Sequence, residues 1–199
     1  MSLPHKHVRF RVSPVAITVV LALMALALTL PRLTTPGEYV FDELYYAFTA
    51  GNYVAGNEAY ASRIPPRDDP AIEWTHPPLA KLLIAGGILL GGDTPLGWRM
   101  MSVLLGVAGA VITFWLGYRM AGSRAVGTLA AALLLLDGVY FIESRLGMSN
   151  MLVLVTTSSA LLAFYFVLTA PPDRLALPMT LMGITLGLKK KKKKKKKKK

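Results

Sequence analysis

The chain has 199 residues, 53% of them hydrophobic and 17% charged, with a mean hydropathy of +0.45. Its formal net charge of +12 comes almost wholly from a terminal run of eleven lysines, Lys189–Lys199, and one net positive charge is left without it, so a basic nucleic-acid-binding surface is not indicated. The absence of cysteine excludes disulfide scaffolds, thiolate metal sites and cysteine nucleophiles.

The apolar residues come in long blocks, which point to an all-α, polytopic integral membrane protein. Residues 1–12 carry Lys6, Arg9 and Arg11 and read as a cytoplasmic N-terminus under the positive-inside rule. Residues 13–30 have no charge and read as the first span. Residues 31–95 read as an external loop, acidic and proline-containing up to about residue 78. Within it, Leu79 to Gly92 is apolar apart from Lys81 but short for a span, so it is expected as an interfacial helix over about 79–91. That choice puts Arg119 and Arg124 in the cytoplasm and Asp42, Glu43 and Glu143 together outside. Further spans are expected over 96–118, 125–141 and 148–169, with an external loop at 142–147. Residues 175–188 are too few for a comfortable span, and the chain reads as cut within its next helix. The lysine run over 189–199 follows Leu188 without a linker. It reads as an artefact rather than a lipid-binding tail, and is set aside.

Four groups of residues are able to carry chemistry. Adjacent Asp42 and Glu43, flanked by Phe41, Tyr45 and Tyr46, suit a base and its charge partner, or else an acidic first helical turn. In His76-Pro77-Pro78-Leu79-Ala80-Lys81 the prolines stiffen a helix entry. Lys81 then either meets a phosphate in the headgroup zone or snorkels there. Arg99, after Trp98, has the planar fork that matches phosphate oxygens, and also suits an ordinary aromatic-belt pair. Asp137 follows four leucines, where a carboxylate needs a partner or a wet cavity, while Glu143 and Arg145 sit at the external rim as charge partners or as a local cap. The chain has no G-x-x-x-x-G-K-S/T loop, no H-E-x-x-H pattern and no N-x-S/T sequon.

Taken in order, a first helix, FDELYY, HPPLAK, WR and D-x6-SR resemble the N-terminal part of the protein O-mannosyltransferase family. More distantly, the chain is similar to lipid A aminoarabinose transferases. The resemblance covers about residues 13–188 and implies the GT-C membrane glycosyltransferase fold. It implies transfer of a sugar, commonly mannose, from a polyprenyl-phosphate carrier to a hydroxyl acceptor such as protein Ser/Thr, with inversion and with no obligatory metal. A divalent ion at Asp42 and Glu43 stays open, as does the oligomeric state. It places the protein in a bacterial plasma membrane, with its site on the external face. By the same resemblance, Asp42 is the expected general base and Glu43 its positioning neighbour. His76, Lys81, Arg99, Asp137, Glu143 and Arg145 are the expected substrate or carrier-phosphate residues. Asn150 stands where family members often carry Asp; an amide is no base, so a second carboxylate is lost or its role passes to Glu143. The alternative readings are a non-catalytic carrier-lipid-binding or assembly subunit with the same fold, and a transporter fragment using Asp137.

Overall fold

The computed structural model describes residues 12–57, 76 and 78–187. The N-terminal basic residues, much of the acidic loop and the lysine run lie outside that range. The elements in order are α1 (Pro14–Thr29), α2 (Glu43–Val54), α3 (Leu79–Gly91), α4 (Pro95–Ala121), α5 (Arg124–Leu136), α6 (Gly138–Glu143), α7 (Asn150–Thr169), a 3-10 turn at Pro172–Arg174 and α8 (Ala176–Gly187). No strand occurs among the described residues, and the architecture is all-α.

Local chemistry sets the helix starts. Ser13 Oγ accepts the Ala16 N–H at 3.1 Å, and Thr94 Oγ1 accepts the Gly97 N–H at 3.4 Å. Each cap is followed by proline at the first helical position, where the missing N–H costs nothing. Hydroxyls inside the apolar helices bond backward to the carbonyl four residues earlier, as Thr29 does to Ala25 and Thr156 to Leu152. They therefore need no outside partner.

Helix α4 is the axis. At 27 residues it is about 40 Å long, and α1, α3, α5 and α7 all pack on it, with α8 against α7. Only α4 and α7, among the described residues, are long and apolar enough to cross a membrane. α1, α3, α5 and α8 are apolar but shorter. One core, built on Leu21, Ala25, Ala110, Phe114, Ala131 and Leu135, joins α1, α4 and α5. A second, built on Tyr46, Ala47, Ala50, Ile84, Ile88 and Trp98, joins α2 and α3 to the start of α4. Glycine lets α4 and α5 touch: a Cβ added at Gly127 would lie 2.6 Å from the Phe114 carbonyl oxygen.

Two differences from the expected layout bear on the site. The segment 125–141 is not one helix. At Asp137 the backbone turns extended (φ −73°, ψ 126°), and its side chain accepts the Tyr140 N–H at 2.7 Å to start α6. Asp137 is thus an exposed helix cap and not a carboxylate buried within a span. The acidic loop also contains α2, whose buried Glu43, Tyr46, Ala47 and Ala50 follow helical spacing against α3.

Long-range bonds define the two ends of the bundle. At one end Arg145 reaches Pro31, Arg99 reaches the 33–38 segment and Gly147 reaches Glu43. At the other end Arg124 Nη1 donates to the Val12 carbonyl at 2.7 Å, and Arg119 lies against Phe166.

Candidate functional site

The first end is organised by one buried ion pair. Arg99, in the second turn of α4, is 1% exposed, and Glu43, at the start of α2, is 0% exposed. Their fork is bidentate: Arg99 Nε donates to Glu43 Oε1 and Nη2 to Oε2, both at 2.8 Å. The other three guanidinium N–H groups donate to the carbonyls of Leu33 (2.8 Å), Pro36 (2.9 Å) and Glu38 (3.1 Å). All five donors of Arg99 are therefore used. The Glu43 carboxylate is equally full, because it also accepts the Gly147 N–H at 2.7 Å and the Val40 N–H at 3.0 Å. This pair ties α2, α4, the 33–40 loop and the loop before α7 into one unit. Burying two charges is costly unless every lone pair and proton is matched, and here they are.

That geometry corrects the expectation that Arg99 meets a carrier phosphate directly: it has no N–H left to offer. Glu43 likewise has no free lone pair for an acceptor or a metal. No group of three or more His, Cys, Asp and Glu that could hold a metal occurs among the described residues.

Asp42 stands next in the chain and is exposed. It is the N-cap residue of α2, yet its carboxylate makes no capping bond and no other hydrogen bond among the described residues. Adjacent positions at a helix start diverge by about 100° in the helical wheel. One carboxylate therefore points inward to Arg99 while its neighbour faces solvent. Phe41, just before, is 76% exposed and held at φ 52°. A left-handed aromatic residue is strained, and such strain clusters at functional sites.

Beside this pair lies a cavity of about 210 Å³ lined by Leu33, Pro36, Val40, Phe141, Ile142 and Leu146, with Arg99 and Arg145 on its wall. Arg145 Nη2 donates to the Pro31 carbonyl at 2.7 Å, and its guanidinium carbon sits 5.0 Å from the Phe141 ring centroid. Its pKa is lowered from the ordinary arginine value, first by desolvation and then by the nearby Arg99 charge. Unlike Arg99, it keeps unused donors among the described residues. An apolar pocket with a cation on its wall suits a ligand that is part hydrocarbon and part anion.

The remaining expected residues divide. His76 is exposed, with its ring 5.8 Å from that of Tyr46. Pro77, in the same motif, lies outside the described residues. Lys81 is 2% exposed, held inside the fold rather than on its surface. Glu143 is half-buried and accepts the Asn150 side-chain N–H at 2.7 Å. Asn150 is thus a donor to Glu143, where an aspartate would oppose it.

Sequence reasoning missed Tyr39 and Asp93. Asp93 Oδ1 accepts the Trp98 indole N–H at 2.6 Å, and the Tyr39 ring lies 4.3 Å from that of Trp98. The Tyr39 pKa is raised by burial first, then by the charges of Asp93 and Glu43. A polar residue in the tight Gly-Gly-Asp-Thr turn between two helices was the one available signal. It also missed the Gly147 N–H, which no sequence pattern marks.

Comparison with known proteins places these residues in context. The family model described as dolichyl-phosphate-mannose-protein mannosyltransferase matches residues 19–191, a span that holds every candidate named above. A polyprenol-phosphate-mannose–protein mannosyltransferase of Corynebacterium glutamicum is 36% identical over 157 residues, 73% of this chain and 28% of that protein. Proteins with the same name from Mycobacterium tuberculosis (36% over 126 residues, 63% of this chain and 23% of the relative) and Mycolicibacterium smegmatis (35% over 131 residues, 65% and 24%) are also similar. The chain spans less than a third of the length of these curated relatives. No solved structure matches.

Proposed function

Because the chain belongs to the dolichyl-phosphate-mannose-protein mannosyltransferase family, we propose that it contributes the acceptor-activating part of an inverting membrane glycosyltransferase. The donor is a polyprenyl-phosphate sugar, with mannose the first candidate since the relatives' names specify it, and the acceptor is a protein hydroxyl. The observation that carries this reading is the divided carboxylate pair: Asp42 is exposed and unbonded, while Glu43 is locked on Arg99.

Asp42 is the general base. It takes the proton from the acceptor hydroxyl as that oxygen bonds to the anomeric carbon and the carbon–oxygen bond to the carrier phosphate breaks on the opposite face. The leaving group is an anion, so it needs positive charge and not a proton. Arg145, with donors to spare beside an apolar cavity, supplies that charge. Glu43 and Arg99 are positioning residues, which hold Asp42 and Arg145 on one rigid frame. His76 stays on the substrate side, at the exposed edge beside Tyr46. Glu143 borders the same loop as Arg145 and shapes its conformation through Asn150. Lys81 and Asp137 serve the fold. The site faces the outside of the membrane, and the N-terminus, Arg119 and Arg124 face the cytoplasm, as the positive-inside rule favours.

The test is a chimaera in which this chain replaces the matching segment of the Corynebacterium glutamicum relative, assayed in membranes with polyprenyl-phosphate mannose and an acceptor peptide. Asp42→Asn should cut transfer by about 10²- to 10⁴-fold, the usual worth of a general base. Transfer by Asp42→Asn at the rate of the unsubstituted chimaera would overturn the assignment.

A further inference from the structure

Among the described residues, helices α4 and α7 are the two long and apolar enough to cross a membrane, and both end beside one exposed arginine. Arg119 lies in the last turn of α4. Its guanidinium carbon is 5.4 Å from the Trp115 ring centroid, 5.8 Å from Tyr118 and 5.5 Å from Phe166 of α7. Among the described residues it makes no hydrogen bond and no ion pair. The contrast with Arg99 on the same helix is complete, since there every donor is used inside the fold.

The two arginines are 20 residues apart, about 30 Å along a helix, which is the thickness of the bilayer hydrocarbon. With Arg99 at one boundary, Arg119 falls at the headgroup plane of the opposite leaflet. Trp115, one turn earlier, and Tyr118, the preceding residue, are the ring types that settle at that boundary. The rings restrain the cation, and the planar edge that they leave is a bidentate donor for a phosphate. The local charge is positive. Arg124 is close in the chain and half-buried, with a bond to the Val12 carbonyl. Asp173, the one carboxylate among the described residues at this end, pairs with Arg174 at 3.7 Å.

We infer that Arg119, held by Trp115, Tyr118 and Phe166, is a binding site for the phosphate of an anionic phospholipid in the leaflet opposite the candidate active site. The site is independent of the sugar-transfer reading and needs only that α4 and α7 cross the bilayer.

The experiment uses the whole chain in mixed micelles and follows tryptophan quenching by phosphatidylglycerol or phosphatidylcholine with brominated acyl chains. A Trp115→Phe variant identifies the signal of Trp115. Phosphatidylglycerol should half-quench Trp115 at a mole fraction about 5-fold below that of phosphatidylcholine, the preference that one basic residue earns near an anionic surface. Arg119→Gln should lower the ratio by about 5-fold, whatever the lysine run over 189–199 adds equally to both proteins, while Arg124→Gln keeps most of it. If circular dichroism shows that Arg119→Gln has lost its helices, Arg119→Lys replaces it. That variant keeps the charge but not the fork, and should lose at least half the preference. Three results would overturn the site: no preference in the unsubstituted chain, a preference indifferent to Arg119, or an equal loss in Arg124→Gln. Competition by millimolar glycerol phosphate would assign it to a soluble phosphate and overturn the lipid.

Discussion

Glu43 and Asp42 are neighbours with opposite fates, and substitution should separate them. Glu43→Gln removes the charge that balances a guanidinium only 1% exposed. Breaking one partner of a buried pair costs about 3–5 kcal/mol, so the purified chain should lose that much in thermal or denaturant unfolding. Replacing both partners, as Glu43→Leu with Arg99→Met, should cost less than Glu43→Gln alone, because no unpaired charge is left behind. A second residue-scale prediction concerns Asn150. Asn150→Asp deletes the donor to Glu143 and sets two carboxylates against each other. It should destabilise by about 1 kcal/mol at neutral pH. The loss should shrink at acidic pH, where a proton shared between the two carboxyls restores a hydrogen bond; unfolding curves at both pH values check it. The chemistry-bearing residues were legible in the sequence because unusual residue types punctuate apolar blocks. Their roles were not. Whether Arg99 meets a ligand or a protein carboxylate depends on Glu43, 56 residues away, and on three carbonyls that carry no side-chain signature.

At the scale of elements, close approach of backbones is the controlling feature. Gly127→Ala puts a methyl 2.6 Å from the Phe114 carbonyl oxygen of the partner helix, so α4 and α5 must separate, at a cost of about 1–3 kcal/mol in unfolding. Gly138→Ala, with nothing within 4 Å, is the control and should change little. The loop that bears Arg145 is held in the same way, since a Cβ at Gly147 would lie 2.7 Å from the Trp98 carbonyl oxygen. Most apolar blocks were read from hydropathy because a bilayer demands length and charge exclusion. The break at Asp137 was not, since the residues after it (Val139, Tyr140, Phe141 and Ile142) continue the apolar character that hydropathy measures. Helix α2 lies in a stretch read as an acidic loop, where only a first helical turn at Asp42 and Glu43 was an alternative, although its Glu43, Tyr46, Ala47 and Ala50 have the spacing of a buried face.

For the whole molecule, the division into two ends makes a topological prediction. The chain has no cysteine, so single cysteines report without background. Gly37→Cys stands at the end that holds the candidate site, with nothing within 4 Å of its Cβ. Ser123→Cys stands at the start of α5, beside the Arg124–Val12 contact. In right-side-out vesicles an impermeant maleimide should label the first and spare the second; the reverse pattern would invert the proposed orientation. The most direct measurement compares Asp42→Asn and Glu43→Gln side by side in the chimaera, with mannose transfer and thermal stability read from the same preparation. We expect Asp42→Asn to keep its melting temperature and lose transfer by at least about 100-fold, and Glu43→Gln to lose melting temperature as well. Full transfer by a stable Asp42→Asn protein, or an unchanged melting temperature for Glu43→Gln, would contradict the division of labour between the two carboxylates.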